Sequence, residues 1–125
     1  MRVLLDTHVF IWAVMDSKRL SGAARKKMSA ATEIYVSAAS IWEVAIKRRL
    51  GKIEVDPGDL AAAIEGSGFY SLPVTPRHAV LVERLPDHHR DPFDRVLIAQ
   101  AMSEPLRFFT VDKTLARYSE LVTVI

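Results

Sequence analysis

The sequence contains no cysteine, which excludes a disulfide framework and any thiolate metal site. It also has no apolar run long enough to span a bilayer. The N-terminal stretch MRVLLDTHVFIWAVMD is interrupted by Asp6 and His8. It falls short of the roughly 20 residues a spanning helix needs and has no small-residue cleavage site. The expectation is a soluble, cytoplasmic protein that makes no membrane contact. The phosphate-binding patterns G-x-G-x-x-G and G-x-x-x-x-G-K-[ST] are missing, so nothing points to a nucleotide cofactor. There is no G-x-S-x-G elbow, and Ser40 has no evident base, so nucleophilic catalysis has no candidate. Repeats, linkers and low-complexity segments are lacking as well. A strong charge of one sign is absent: 17 Lys and Arg face 15 Asp and Glu, for a net charge of +2. The basic residues gather at Arg25 to Lys27 and Lys47 to Lys52. Singly these clusters read as solvated helix faces; together they are compatible with a polyanionic partner.

What is present is a chain of 125 residues, half of them hydrophobic, suited to one domain over residues 1–125 with a real core. Short apolar runs read as strands at 2–6, 33–37, 69–75, 106–112 and 120–125. Between them lie helical stretches with recognisable starts and stops. Ser21 is set to cap one helix, Asp56 with Pro57 another, Thr75 with Pro76 a third, and Asp91 with Pro92 a fourth. Gly51 is placed to stop the helix that begins near residue 38, and Gly66 lies near the end of the next. The helix in DPFDRVLIAQAM is apolar nearly all round, which predicts burial. Strands alternating with helices imply a central parallel sheet covered on both faces, a three-layer α/β/α sandwich.

Four acids recur where strands end or helices begin: Asp6, Glu43, Asp94 and Asp112. In an open parallel sheet these places share the carboxyl edge, where ligands bind near a topological switch point. Each acid also has a structural reading. Asp6 and Asp112 fit helix caps, Ser40 and Glu43 have capping-box spacing, and Asp94 sits where a negative charge favours the helix dipole. Asp91 is assigned to capping. As a set, four converging carboxylates repel one another and force a pKa upward unless a divalent cation joins them. An all-oxygen donor set suits Mg²⁺ or Mn²⁺ and phosphodiester chemistry. The histidines offer no competing ligand set, because His88 and His89 are adjacent and point apart and His8 lacks a partner. Trp12, Trp42 and Phe93 read as core rather than as a base-stacking platform. Phe10 and Trp12 are weaker candidates for a partner surface.

The segments LLDTHVFIW, SAASIWEVAIK, HRDPFDRVLIAQA and FFTVDKTL resemble, in order and spacing, the PIN-domain ribonucleases. Among these the chain is most similar to the VapC toxins of type II toxin–antitoxin systems. The resemblance spans nearly the whole chain. It implies a PIN-domain fold, a Mg²⁺ or Mn²⁺ site formed by Asp6, Glu43, Asp94 and Asp112, a homodimer, and a VapB-type antitoxin as partner. It also implies Thr110 as a supporting group. The expected reaction is in-line hydrolysis of an RNA phosphodiester by a water that the ion activates, leaving a 5′-phosphate and a 3′-hydroxyl. Arg95, Lys47, Arg90 and Lys113 are candidates for phosphate contact by their nearness to the acids, and Arg95 alternatively for pairing with an acid. Two rivals are a catalytically inactive PIN-fold module that binds RNA or a peptide, and a phosphatase acting on small phosphomonoesters. The DTH at the end of the first strand, in place of D-x-D, speaks against the second.

Overall fold

The structure is a computed structural model describing residues 1–125. Five strands form one sheet: β1 (Arg2–Leu5), β2 (Glu33–Ser37), β3 (Tyr70–Leu72), β4 (Arg107–Thr110) and β5 (Val122–Val124). Their order is β3-β2-β1-β4-β5, and every pairing is parallel. The chain steps outward from β1 to β3 on one side, then returns to place β4 and β5 on the other. The switch point therefore lies between β1 and β4, with Leu5 in register with Phe109.

Side-chain alternation divides the core into two layers, because successive residues of a strand face opposite sides. Val3, Leu5, Val36 and Phe109 face α1 (Thr7–Val14), α2 (Gly22–Ser29) and α4 (Pro57–Gly66). Leu4 and Phe108 face α5 (Pro76–Val82) and α6 (Pro92–Ser103). Helix α3 (Ala38–Arg49) serves both layers, giving Val44 to the first and Ala39 to the second. Complete burial of a side chain such as Leu4 or Phe108 contributes about 1.5–3 kcal/mol, and this anchoring holds the sheet edge rigid. No helix is long and apolar enough to cross a membrane.

The predicted caps form at Ser21, Asp56, Thr75 and Asp91. Gly51 follows the C-cap of α3 with φ +75°, a conformation glycine adopts without strain. At the end of α4 the left-handed residue is Gly68, with φ +76°, while Gly66 stays helical. The third strand is shorter than the sequence indicated. It stops at Leu72 because Pro73 cannot donate to the ladder.

Candidate functional site

The carboxyl edge at the switch point is built on two residues that follow strands. Asp6, next after β1, caps α1: its Oδ1 accepts from the Thr7 amide at 2.7 Å. Its Oδ2 accepts from the Thr110 hydroxyl, at the end of β4, at 2.6 Å. The Thr110 oxygen in turn accepts from the Asp112 amide at 3.0 Å. One hydroxyl thus ties the acid of the first strand to the acid after the fourth, and it is fully buried. A hydroxyl has one proton to donate and lone pairs to accept with, so Thr110 fills both roles at once.

Glu43 joins the same network from α3. A carboxylate only accepts, so the single proton of the Thr7 hydroxyl goes to Glu43 Oε1 at 2.7 Å, with the Ser40 hydroxyl 2.8 Å from Thr7. The capping-box reading of Ser40 and Glu43 is corrected here. Helix α3 starts one turn earlier, capped by Ser37 through the Ala39 amide, and Ser40 and Glu43 point inward. Lys47, one turn on, donates to Glu43 Oε2 at 2.5 Å. Burial lowers the affinity of Lys47 for its proton, but the hydrogen bond and charge of Glu43 raise it, and the charges of Asp91 and Asp94 add to that; the net direction is upward.

Asp94 lies in the first turn of α6, behind the Asp91 cap. Its pKa is pushed up to about 7, first by burial, then by the charges of Asp6 and Asp91, with a hydrogen bond from His89 opposing. Asp6 is raised as well, first by burial and further by Glu43, against hydrogen bonds from Thr110 and Thr7. The crowding anticipated from sequence is therefore expressed in both groups. Asp112 caps the short 3₁₀ turn Lys113–Arg117, its Oδ1 accepting from the Thr114 amide at 2.9 Å and hydroxyl at 2.7 Å. An Asp112 oxygen, an Asp94 oxygen and a ring nitrogen of His89 all lie within 4.8 Å of one another.

Capping and site-building are not alternatives at Asp6 and Asp112, because a cap occupies one carboxylate oxygen. Asp91 is a cap in the ordinary sense, its Oδ1 accepting from the Phe93 and Asp94 amides at 2.8 and 3.2 Å. The donor set fits a hard divalent cation: carboxylates from separate segments, two of them with raised pKa values, share one edge with too few cations to balance them.

The expected basic contacts divide. Arg90 and Lys113 are exposed, whereas Lys47 is engaged with Glu43. Arg95 is a correction. Its guanidinium donates to the carbonyls of Val82, Leu85, Pro86 and His89 at 2.9–3.4 Å and to the Tyr118 hydroxyl at 3.4 Å. Its one acidic neighbour within 4.0 Å is the fully exposed Asp87, at 3.8 Å. The planar fork of donors is consumed in holding the loop before α6, which leaves it neither a phosphate ligand nor a partner of the site acids.

Three aromatic assignments also change. Trp42 is 62% exposed and packs edge-on against Phe93, with ring centroids 5.1 Å apart. The two rim an apolar hollow of about 330 Å³ that Val74, Pro92 and Val96 help line. Phe10 is buried in the core, which removes it from a partner surface. The two histidines point apart, as adjacency implies, yet His89 still joins the acids, which its position in the sequence does not signal. His88 packs on Tyr118 at 5.1 Å, and His89 Nε2 meets Asp94 Oδ2 at 2.7 Å. The spacing of five residues across a proline-containing turn carried no signal for that contact.

A family profile described as the PIN domain matches residues 3–121. Ribonuclease VapC22 of Mycobacterium tuberculosis is 32% identical over 126 residues, covering 98% of this chain and 97% of that protein. Among solved structures, VapBC2 from Rickettsia felis, bound to a promoter DNA fragment, superposes with a TM-score of 0.70 at 13% identity, covering 98% of this chain and 96% of that one. Mycobacterium tuberculosis VapC20, a sarcin–ricin loop cleaving toxin, superposes with a TM-score of 0.65 at 16% identity, covering 94% and 97%. These two structural likenesses speak for the fold.

Proposed function

The chain belongs to the PIN-domain family, among the VapC-type ribonucleases, and from that premise we propose that it is a metal-dependent endoribonuclease acting as the toxin of a type II toxin–antitoxin pair. What supports this reading is that, at the switch point between β1 and β4, Asp6 is tied through Thr110 to the Asp112 backbone and is close enough to Asp94 for its charge to act there, Asp94 and Asp112 approach each other, and Glu43 joins through Thr7. These acids would hold Mg²⁺ or Mn²⁺, which would supply charge neutralisation at the phosphate and a lowered pKa for a bound water. Thr110 keeps Asp6 and the Asp112 backbone in register, and Thr7 does the same for Glu43. Arg90 and Lys113, exposed beside the acids in sequence, supply cations for the RNA backbone. The single domain spans residues 1–125 and works in the cytoplasm.

Two protein partners belong to the same proposal. A VapB-type antitoxin blocks the acidic edge. A second copy of the chain covers the apolar stripe of Trp42 and Ile46 on α3 and Leu50 at its C-cap, all exposed and at intervals of four residues. Apolar side chains so aligned and uncovered mark an interaction face.

The test is sequencing of RNA 5′ ends in cells expressing the chain, with Asp6→Asn as control, together with cleavage by the purified protein with and without chelator. Discrete new ends that depend on Asp6, and activity abolished by EDTA, are expected. Full activity in excess chelator overturns the metal-dependent reading. Absence of cleavage from a folded, metal-loaded protein favours the binding-module alternative.

A further inference from the structure

His89 stands out because the loop that carries it is fastened with more hydrogen bonds than a mere connection needs. Arg95 reaches four carbonyls around residues 82–89, and both Arg95 and the Tyr118 hydroxyl donate to the His89 carbonyl, at 3.4 and 3.2 Å. This fixes the backbone beneath the ring. The imidazole is 30% exposed and its Nε2 lies against Asp94 Oδ2. Asp112 reaches the same place from the end of β4.

The three donors lie close to the spacing one ion requires. Ligand bonds of about 2.1 Å in an octahedron put neighbouring donor atoms about 3 Å apart and opposite ones about 4.2 Å apart. The His89 nitrogen and one oxygen each of Asp94 and Asp112 fall within 4.8 Å of one another, so small side-chain adjustments bring all three onto one ion. Asp112 Oδ1 is occupied by Thr114, which leaves Oδ2 without a protein partner, and Asp94 Oδ1 is likewise unpartnered.

We propose that His89 is a nitrogen ligand of a divalent ion shared with Asp94 and Asp112, and that this makes the site prefer Mn²⁺ to Mg²⁺. The inference rests on the metal-dependent reading above only in placing an ion at this edge. Its chemistry is separate: Mg²⁺ binds oxygen donors and gains little from imidazole, whereas transition ions accept nitrogen readily. A mixed nitrogen and oxygen set therefore discriminates between two ions that an all-carboxylate set treats more alike.

The experiment uses the purified, intact chain and Mn²⁺ alone, without RNA. Pulsed EPR of the Mn²⁺-loaded protein is expected to show coupling to a directly bound imidazole nitrogen, absent in His89→Gln and in His89→Asn. Both amides can still donate a hydrogen bond to Asp94, so they separate ligation from positioning. In the same variants the Mn²⁺ affinity falls by more than the roughly 10–100-fold typical of losing a supporting group and the Mg²⁺ affinity changes much less, so the preference for Mn²⁺ collapses. Thermal melts check that both variants fold. An all-oxygen Mn²⁺ signal in the wild type overturns the inference while leaving the ribonuclease reading intact. An equal loss of Mn²⁺ and Mg²⁺ affinity overturns it in favour of a positioning role for His89. Failure of the wild type to bind Mn²⁺ at all removes both.

Discussion

The two sides of the acidic edge are built by opposite means. On one, Asp6 and Glu43 are buried and almost every oxygen is spoken for, by Thr7, Thr110 and Lys47. On the other, Asp94 and Asp112 sit at the starts of a helix and a short turn, part-exposed, with oxygens to spare. Asp6 and Glu43 are fixed by β1 and α3 within the core, whereas Asp94 follows a loop that Arg95 clamps in place and Asp112 hangs from the end of β4 by its amide alone. The difference teaches how a site can hold repelling carboxylates without unfolding. The most buried acids are held by hydroxyl donors and, at Glu43, one ammonium, while at Asp94 burial first and then the charges of Asp6 and Asp91 favour the protonated form.

The strongest way to break this comparison is to remove one acid from each side. Asp6→Asn and Asp94→Asn should both fold: the amide oxygen takes over the one bond Asp94 makes to His89, and at position 6 it keeps the Thr7 cap while the amide NH2 donates to the Thr110 hydroxyl instead of accepting from it. Both should lose cleavage by more than about 100-fold, because loss of a ligand exceeds the 10–100-fold typical of its supporting groups. They should differ in stability. Asp94 has a folded-state pKa of about 7 against 3.8 when free, so the metal-free folded protein binds the extra proton between those values. Stability then falls as pH rises from about 4 through 7, and the full penalty remains above that. The span is worth about 4 kcal/mol with no solvent access, at about 1.4 kcal/mol per unit. The Asp94 side chain is 17% exposed and near surface charges, which screens this to about 1–2 kcal/mol. Asp94→Asn should recover that amount at pH 8 in metal-free buffer and flatten the profile from pH 5 to 8. A melting curve for Asp94→Asn that is no higher than wild type at pH 8 would show that the repulsion is not centred there.

Thr110→Val probes the link between the two sides. It deletes the donor to Asp6 and the acceptor for the Asp112 amide in a fully buried position. We expect about 1–3 kcal/mol lower stability and a 10–100-fold loss of metal affinity, measured by chemical denaturation and Mn²⁺ titration. Unchanged Mn²⁺ binding would mean that Asp6 and Asp112 are held independently.

Arg95→Lys should act on one side alone. A single ammonium cannot reproduce the fork that meets four carbonyls, so the 82–91 loop loosens and stability drops by about 1–2 kcal/mol, with cleavage reduced less than tenfold. Hydrogen exchange in that loop is the direct readout. A cleavage defect as large as that of Asp94→Asn, in a folded protein with normal loop exchange, would return Arg95 to the phosphate-contact role.

The smallest effect belongs to Asp91→Asn. Asparagine caps as well as aspartate, and removing the Asp91 charge slightly relieves Asp94. Stability within about 0.5 kcal/mol of wild type and near-normal cleavage are expected. Lost cleavage in a folded variant would promote Asp91 from cap to functional residue.

Much of this was legible from residues alone, for a physical reason. Helix caps, proline starts and the alternation of strands with helices depend on neighbours one to four positions apart, and Ser21, Asp56, Thr75 and Asp91 all behave accordingly. The two-sided burial of the sheet is likewise written in its continuous apolar strands. The failures share an opposite cause. Ser40 turns inward because the buried Thr7 and Glu43 need it, although its spacing to Glu43 imitates a capping box. Trp42 stays exposed because α3 presents that face to neither core layer. Arg95 is drawn to carbonyls that only the folded loop assembles. His89 meets Asp94 through a turn whose path no local pattern encodes; Thr110, which the family resemblance marks as a supporting group, finds its partner Asp6 across 104 residues of chain because β4 pairs with β1. Local preference dictated the elements and their ends. Strand order, which depends on the free energy of the whole assembly and on no single segment, decided which polar side chains faced one another.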